Sequence, residues 1–536
     1  MKTAKAITAA LLTVAILSGC GSQPQKSSNA GSSGASSASG AASSSTGSVY
    51  PLQGGKKLTY WVGVTAPNNA TSNDDIPLWQ ELQKRTGIDI EFSTFVSGQE
   101  KEAFNLMLAS GEYPDIIESK QIETGTLFSK GIIMDLTDII PKYSPNYYKY
   151  LQEHPDVMKQ VKSDDSKLML YPLIREDPRQ MTTTGPIIRK DWLDKLNIQE
   201  PETIAEWEAM LTAFKEKLNC PIPLGTRAST TTTNFIASAF NIYLGFYQED
   251  GNVKYGYLEP AFKDYLTTMS SWYKKGLYDK NFASASKETQ DANFLSGKQG
   301  STFGAAGGQL GTWMSAAKSN GDTTFNLVGA KLPVSKKGDT PAYYDITQFQ
   351  YSNGNPWAMI STKCKDVEAA ARLLDYGYTE EGKKLLNFGI EGKSYNVVNG
   401  EIVPLSEQEI KDKFNMTQSD FRKMYARSSD SGPFVLDPHF MKYTQTPTQL
   451  DALAKWGQND NLKHKMPPLT LSPEESTEFS SIMADIKTYN DEMIVKFIMG
   501  VEPLSNIEKY QATVKSMGID KAIKIQQGAL DRYNKR

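Results

Sequence analysis

Cysteine and histidine are scarce: three of each in 536 residues. Cys20, Cys220 and Cys364 are too few and too scattered for a disulfide framework, and Cys220 and Cys364 read as small buried hydrophobes. His154, His439 and His464 form no H-E-x-x-H and none stands near a cysteine at ligand spacing, so a zinc centre is not expected. Excess positive charge is lacking as well, with a formal net charge of −3, and no concentrated basic face points to nucleic acid. No apolar run approaches the roughly 20 residues that span a bilayer.

Reaction motifs are missing too. The "EGKS" at Glu391–Ser394 fails as the end of a P-loop because Asn387 stands where the leading glycine belongs. "GAAGGQLG" fails as G-x-G-x-x-G because Ala306 takes the second glycine position, and no G-x-S-x-G elbow occurs. A carboxylate pair is all that many glycoside hydrolases need, so a surface hydrolase or lyase stays open as an alternative, as does a binder of a non-sugar ligand such as a peptide, although any one Asp or Glu reads first as a solvated charge.

What is present begins at the N-terminus. Lys2 and Lys5 precede a short apolar run, Ala6 to Leu17, with the layout of an export signal. Leu17-Ser18-Gly19-Cys20 resembles the bacterial lipobox, which implies cleavage before Cys20, acylation of its sulfur and attachment to the membrane through it. From Gly21 to Ser48 there is no Val, Leu, Ile, Met or aromatic residue, so this stretch is expected to remain an unfolded tether reaching on the order of 30 Å.

The body that follows is long enough for two lobes. "KLTYWVGV", a helix over Asp75–Arg85, "IDIEFSTF", a helix over Glu100–Ser110 and "PDIIES" read as β-α-β-α-β, hence a parallel sheet. Similar alternation resumes at "GPIIRKDWLDKLNI". Thr203 with Glu206 forms a capping box, and "GKQGSTFGAAGGQLGTW" places a strand before a glycine-rich bend. "NPWAMISTK" reads as a buried strand. Ser472, Pro473 and Glu475 open a long helix whose stripe from Phe479 to Phe497 is read as core.

Taken in order, "LQKRTGIDIEF", "LASGEYPDII", "FSKGIIMDLTDII", "RKDWLDKLNIQEPETIAEWEAMLTAFKEK", "LLDYGYTEEGKKLLNFGIEGKSY" and "FIMGVEPLSNIEKY" resemble the extracellular solute-binding family 1 of ABC importers, which includes maltose-binding protein. They are most similar to its long subgroup with the alginate-oligosaccharide binders. The resemblance implies an α/β fold of two periplasmic-binding-protein-like lobes (type II) with hinge crossings and a helical C-terminal region. It divides the chain into a signal peptide (1–19), the tether (20–49), a first lobe (50–172 with 342–398) and a second (173–341 with 399–536).

It further implies a carbohydrate, an oligosaccharide, as ligand, the transmembrane subunits of an ABC permease as partner, no catalysis, no cofactor, a monomer, and a place on the outer face of the cytoplasmic membrane. Ligands of such sheets bind beyond the carboxyl ends of the strands, and a ligand touching both lobes favours their closure. Positions carried over from the family are Thr65 and Asn68 after the first strand, Ser119 and Gln121 after the third, Arg175 and Glu176 after the crossing strand, and Arg227 in "LGTRAST". Tyr344, Trp357 and Trp313 are the expected stacking aromatics. Trp357 has a rival reading as a buried strand start, Trp313 as packing on its own helix, and Arg175 and Arg227 as surface ion pairs. The calcium loop that the subgroup often carries is replaced by Leu218-Asn219-Cys220-Pro221-Ile222-Pro223, so no metal is expected there.

Overall fold

Two four-stranded sheets organise the chain. The computed structural model describes residues 49–64, 72–95, 99–119, 124–227, 234–344, 347–351, 357–427 and 432–536. Cys20, the tether as far as Ser48, Thr65, Asn68 and Gln121 lie outside the described residues.

In the first sheet Lys56–Trp61 pairs in parallel with Ile88–Ser93 on one side and with Ile116–Ser119 on the other. Trp357–Ile360 adds antiparallel to Ile116–Ser119 and returns from more than 200 residues away. All four residues of that returning strand are buried, as the unbroken apolar run "WAMI" requires of a strand covered on both faces. The helix Pro77–Thr86 starts with proline at its first position and stops at Gly87. Gly87 has φ +71°, and a Cβ there would lie 2.5 Å from the carbonyl oxygen of Leu52, so glycine is required twice over.

The second sheet is mixed. Thr184–Arg189 is antiparallel to both Leu327–Gly329 and Gln299–Ala305, and only Ile222–Leu224 runs parallel to Gln299–Ala305. The Thr203–Glu206 capping box opens the helix Ile204–Leu218, which buries Trp207, Met210, Leu211 and Phe214 against this sheet. The helix Pro473–Met499 is capped by Ser472 and Glu475 and closed by Gly500 in the left-handed region, and it lays Ile486, Met493 and Phe497 into the same core. Leu218-Asn219-Cys220 is a tight stop: Asn219 takes the left-handed cap, and the chain enters the Ile222–Leu224 strand directly.

Each sheet therefore has its own apolar core, and the two cores share no residue. The division of the chain between them differs from the expected one at 399–436. Phe434–Leu436 pairs in parallel with Leu173–Arg175, and its side chains belong to the first core. Arg427 forms a fully buried ion pair with Glu118 at the end of the third strand. The short helices 407–414 and 418–425 have no sheet of their own to cover and bury Ile410 and Phe421 in a small cluster that also takes in Tyr425, a neighbour of the first core. This segment thus stands with the first lobe, whereas Tyr344, expected there, is in the second core.

One buried acid in the first lobe gives a pH signature. Asp375 accepts hydrogen bonds from the Tyr147 backbone N–H (2.8 Å) and from Asn146 Nδ2 (2.7 Å), yet burial outweighs these bonds and pushes its carboxyl up to about 6. Because the folded-state value exceeds the unfolded one, the cost of the charged form is complete above pH 6 and relieved as pH falls toward 4, a swing on the order of 2–3 kcal/mol. Urea titrations of wild type and Asp375→Asn are expected to show a stability difference that changes by this amount between pH 7 and pH 4, with wild type gaining on the variant as pH falls. A difference independent of pH rules out the burial account.

Candidate functional site

Among the described residues three chain crossings connect the lobes, and the candidate site is built on them. Leu173–Arg175 carries the chain outward. It pairs with Phe434–Leu436 on one edge, and on the other Ile174 bridges Tyr351 while the Arg175 N–H donates to the Gln350 carbonyl at 2.9 Å. Arg175 and Glu176 thus stand where the outgoing strand ends. Ser119 ends the third strand in register with Trp357, and Tyr351 lies tilted against Trp357 at 5.9 Å between centroids. The structure therefore gathers Ser119, Arg175, Glu176 and Trp357 around one set of strand ends.

Their environments differ. Arg175 is buried and helps line a cavity of about 110 Å³ at the seam of the lobes, together with Arg179, Thr183, Ala306, Gly307 and Arg422. No Asp or Glu is among the described residues lining it. Arg179 is held by a fork to Asp177, whose carboxyl it keeps below the usual carboxylate range. Glu176 is exposed and takes a hydrogen bond from the hydroxyl of Tyr150, which burial first and the Glu176 charge second push upward, so that it stays protonated and donating. The Ser119 hydroxyl lies 3.5 Å from the Glu100 carboxylate at the start of the preceding helix, Glu100–Ser110. Arg227 is half-buried just past Ile222–Leu224, next to Thr226, whose hydroxyl bonds that of Tyr278 at 2.9 Å.

The three aromatics expected to stack on a ligand have covered rings. Trp313 is 1 % exposed, stacked face to face on Phe294 at 4.3 Å, with its indole N–H donated to Asp291 at 2.8 Å. It is core, because the helix Thr312–Ser319 turns its ring back into the second lobe. Tyr344 meets Phe303 edge-on at 5.3 Å, and its N–H donates to Asn461. Trp357 is 4 % exposed with its faces packed, but its indole N–H has no hydrogen-bond partner among the described residues.

Phe95, half-buried beyond the second strand, lies on Trp61 at 4.4 Å between centroids. Sequence reasoning missed Tyr150, Arg179 and Arg422, which reach the seam from helices that no spacing rule connects to it.

Two α/β lobes with separate cores, joined by hydrogen-bonded crossings with polar side chains at the strand ends, define a two-lobed solute-binding fold. The chain belongs to the bacterial extracellular solute-binding protein family, whose model matches residues 69–384, more than half of it. It is similar to the fructooligosaccharide ABC transporter substrate-binding protein FusA of Streptococcus pneumoniae serotype 4, with 23% identity over 99% of this chain and 98% of that one. The polygalacturonan/rhamnogalacturonan-binding protein YtcQ of Bacillus subtilis is 23% identical over 82% of this chain and 85% of its own. Among solved structures, the alginate-binding protein AlgQ2 superimposes with a TM-score of 0.66 over 90% of this chain and 99% of that chain, at 22% identity.

The covered Trp313 ring yields a test. Trp313→Ala is expected to cost about 3–5 kcal/mol of stability, as emptied core sites do. Trp313→Phe, by contrast, is expected to leave ligand affinity unchanged in calorimetry. A selective loss of affinity in the phenylalanine variant would return this ring to the binding site.

Proposed function

We propose that this protein is the substrate-binding lipoprotein of an ABC importer, capturing an oligosaccharide between its lobes and delivering it to the transmembrane subunits of the permease. The observation that carries the reading is the family's fold with Arg175 and Glu176 at the end of the outgoing crossing, where a ligand reaching both lobes must pass. Binding to both lobes makes ligand affinity and lobe closure one equilibrium. Catalysis has no part in it. Sugar-named relatives support the ligand class, and the relative named for polygalacturonan, together with the arginine-lined seam, supports including acidic glycans among those tested.

The ligand contacts proposed are Thr65, Asn68, Ser119 and Gln121 from the first lobe, Arg175 and Glu176 from the crossing, and Arg227 from the second lobe. Tyr344 and Trp357 back this wall from beneath. Acylated Cys20 and the 20–49 tether are proposed to hold a monomeric body at the outer membrane face.

Thermal melts with fructooligosaccharides, oligogalacturonates and peptides test the ligand class. A ligand of the native state at 100 times its Kd adds about 2.7 kcal/mol of apparent stability. A shift with peptides and none with any glycan defeats the carbohydrate assignment, and new reducing ends on incubation defeat the binder reading in favour of a hydrolase or lyase.

Glu176→Gln is expected to weaken glycan binding by roughly 10- to 100-fold, the loss of one charge-assisted hydrogen bond, with little change in stability. Separately, Cys20→Ala is expected to move the protein from the membrane fraction to the medium. Retention of that variant on membranes is incompatible with a lipid anchor at this residue.

A further inference from the structure

The crossings are not the only tie between the lobes. The helix Ile519–Asn534 belongs to the second lobe, where Ile519 and Ala522 lie in the core and Gln527 bonds the Asn252–Tyr255 strand. Its far end reaches the first lobe. Arg532 Nε donates to Asp164 Oδ2 at 2.8 Å, and Arg536 donates to Asp164 Oδ1 from Nε at 2.9 Å and Nη2 at 2.6 Å. Arg536 Nη1 also donates to the Lys162 carbonyl, and Lys159 lies over the Tyr533 ring at 4.9 Å. The Arg536 side chain is 1 % exposed and that of Asp164 18 %. This is a largely desolvated carboxylate gripped by two guanidinium groups, unlike the exposed pairs that contribute little.

The first-lobe side of this grip is continuous with the hinge. The helix Pro155–Val161, just before Asp164, carries Gln160, whose Nε2 donates to Gln350 Oε1 at 2.9 Å and whose Oε1 accepts the Tyr351 N–H at 3.1 Å. Asp156 on the same helix accepts from Gln350 Nε2 at 2.7 Å. The segment 468–470, which leads into the second-lobe helices, is tied in through Thr470, whose carbonyl accepts from Arg532 at 3.1 Å and whose hydroxyl accepts from Arg536 at 3.0 Å. One network thus joins the second-lobe helix end, the first-lobe helix and the return crossing.

We propose that the Asp164–Arg532–Arg536 cluster is the fixed pivot of lobe closure: it stays made in the open and closed forms and sets the axis about which the lobes turn. Three N–H donors from two guanidinium groups, spread over both oxygens of one carboxylate, define direction as well as distance, and they sit beside the crossings, where rotation displaces atoms least. A contact that must break on closing would be expected on the rim, away from the hinge. The inference rests on the reading that binding is coupled to closure.

Small-angle scattering of ligand-free protein tests the pivot without any ligand. Asp164→Asn and Arg536→Gln are expected to broaden the distance distribution and raise the radius of gyration. Glu475→Gln, which removes an Arg532 partner within the second lobe but leaves Asp164 alone and can still cap its helix, is expected to change neither. Scattering of Asp164→Asn and Arg536→Gln identical to wild type would overturn the proposal. With whichever of fructooligosaccharide or oligogalacturonate wild type binds, the same two variants are expected to bind about tenfold more weakly, as fewer molecules remain aligned for closure.

A Lys162→Cys, Lys535→Cys pair joined by a bismaleimide keeps Asp164, Arg532 and Arg536 in place and covers the case in which the single variants fail to fold. A pivot tolerates the link and binding persists; abolished binding in the linked protein would mean the contact opens during closure and is no pivot. If wild type binds no glycan, the carbohydrate reading fails while the scattering comparison still decides the pivot.

Discussion

The main-chain ladder of the outgoing crossing is the constraint from which the rest of the molecule follows. Leu173–Arg175 is flanked on one side by Phe434–Leu436 and on the other by Gln350 and Tyr351, so three passages of the chain between lobes are hydrogen-bonded to one another. Buried backbone groups need partners, and here each crossing supplies them for its neighbours. A single linker would leave the lobes free to swing in any direction, whereas a ladder resists shear and splay and leaves twisting as the soft motion. Just beyond it the second lobe ties the return crossing with side chains: Thr347 contacts Thr182, Asn459 and Asn461 by hydroxyl and amide bonds of 2.9–3.0 Å, and Lys465 donates to its carbonyl. Hinge stiffness is therefore set by polar geometry more than by apolar area.

The same logic explains a buried charge pair inside the first lobe. Glu118, next to Ser119, accepts from Arg427 and from the Tyr60 hydroxyl at 2.7 Å, and the Arg427 guanidinium lies over the Trp79 ring at 4.9 Å. Replacing such a pair by apolar groups is often neutral, but deleting one partner strands the other at a cost of about 3–5 kcal/mol. Its structural consequence is specific. It fixes the end of the third strand to the segment that becomes the third crossing, so the position of Ser119 and the path of the chain through Phe434 are determined together.

Local signals were legible in the sequence, and long-range ones were not. The Thr203–Glu206 and Ser472–Glu475 capping boxes, the Gly87 stop and the Trp357–Ile360 strand stand where spacing and residue type put them, since each depends on neighbours within one or two helical turns. Residues 399–436 give no such signal: their short helices bury few residues, and a three-residue strand and a buried ion pair tie them to the first core, neither of which leaves a periodic trace. The glycine bend before Trp313 suggests a place at the ligand. Six residues of helical turn then swing the following helix, and with it the indole, onto Phe294. Asp164 and Arg532 are 368 residues apart, and nothing in either neighbourhood announces the other.

Independent cores make the energetics of closure tractable. Because the two sheets share no core residue, the lobes can turn on each other without opening either core, and the large burial terms cancel between open and closed states. What remains is a difference of a few hydrogen bonds and the solvation of polar groups at strand ends, such as Glu176 with Tyr150 and Arg179 with Asp177. A ligand shifts such an equilibrium only by its differential affinity for the closed form, and moving it from 1:99 to 99:1 takes about 5.5 kcal/mol. A handful of charge-assisted hydrogen bonds supplies that amount. In the proposed reading, a ladder-stiffened hinge thus lets modest polar chemistry at the crossings govern lobe closure.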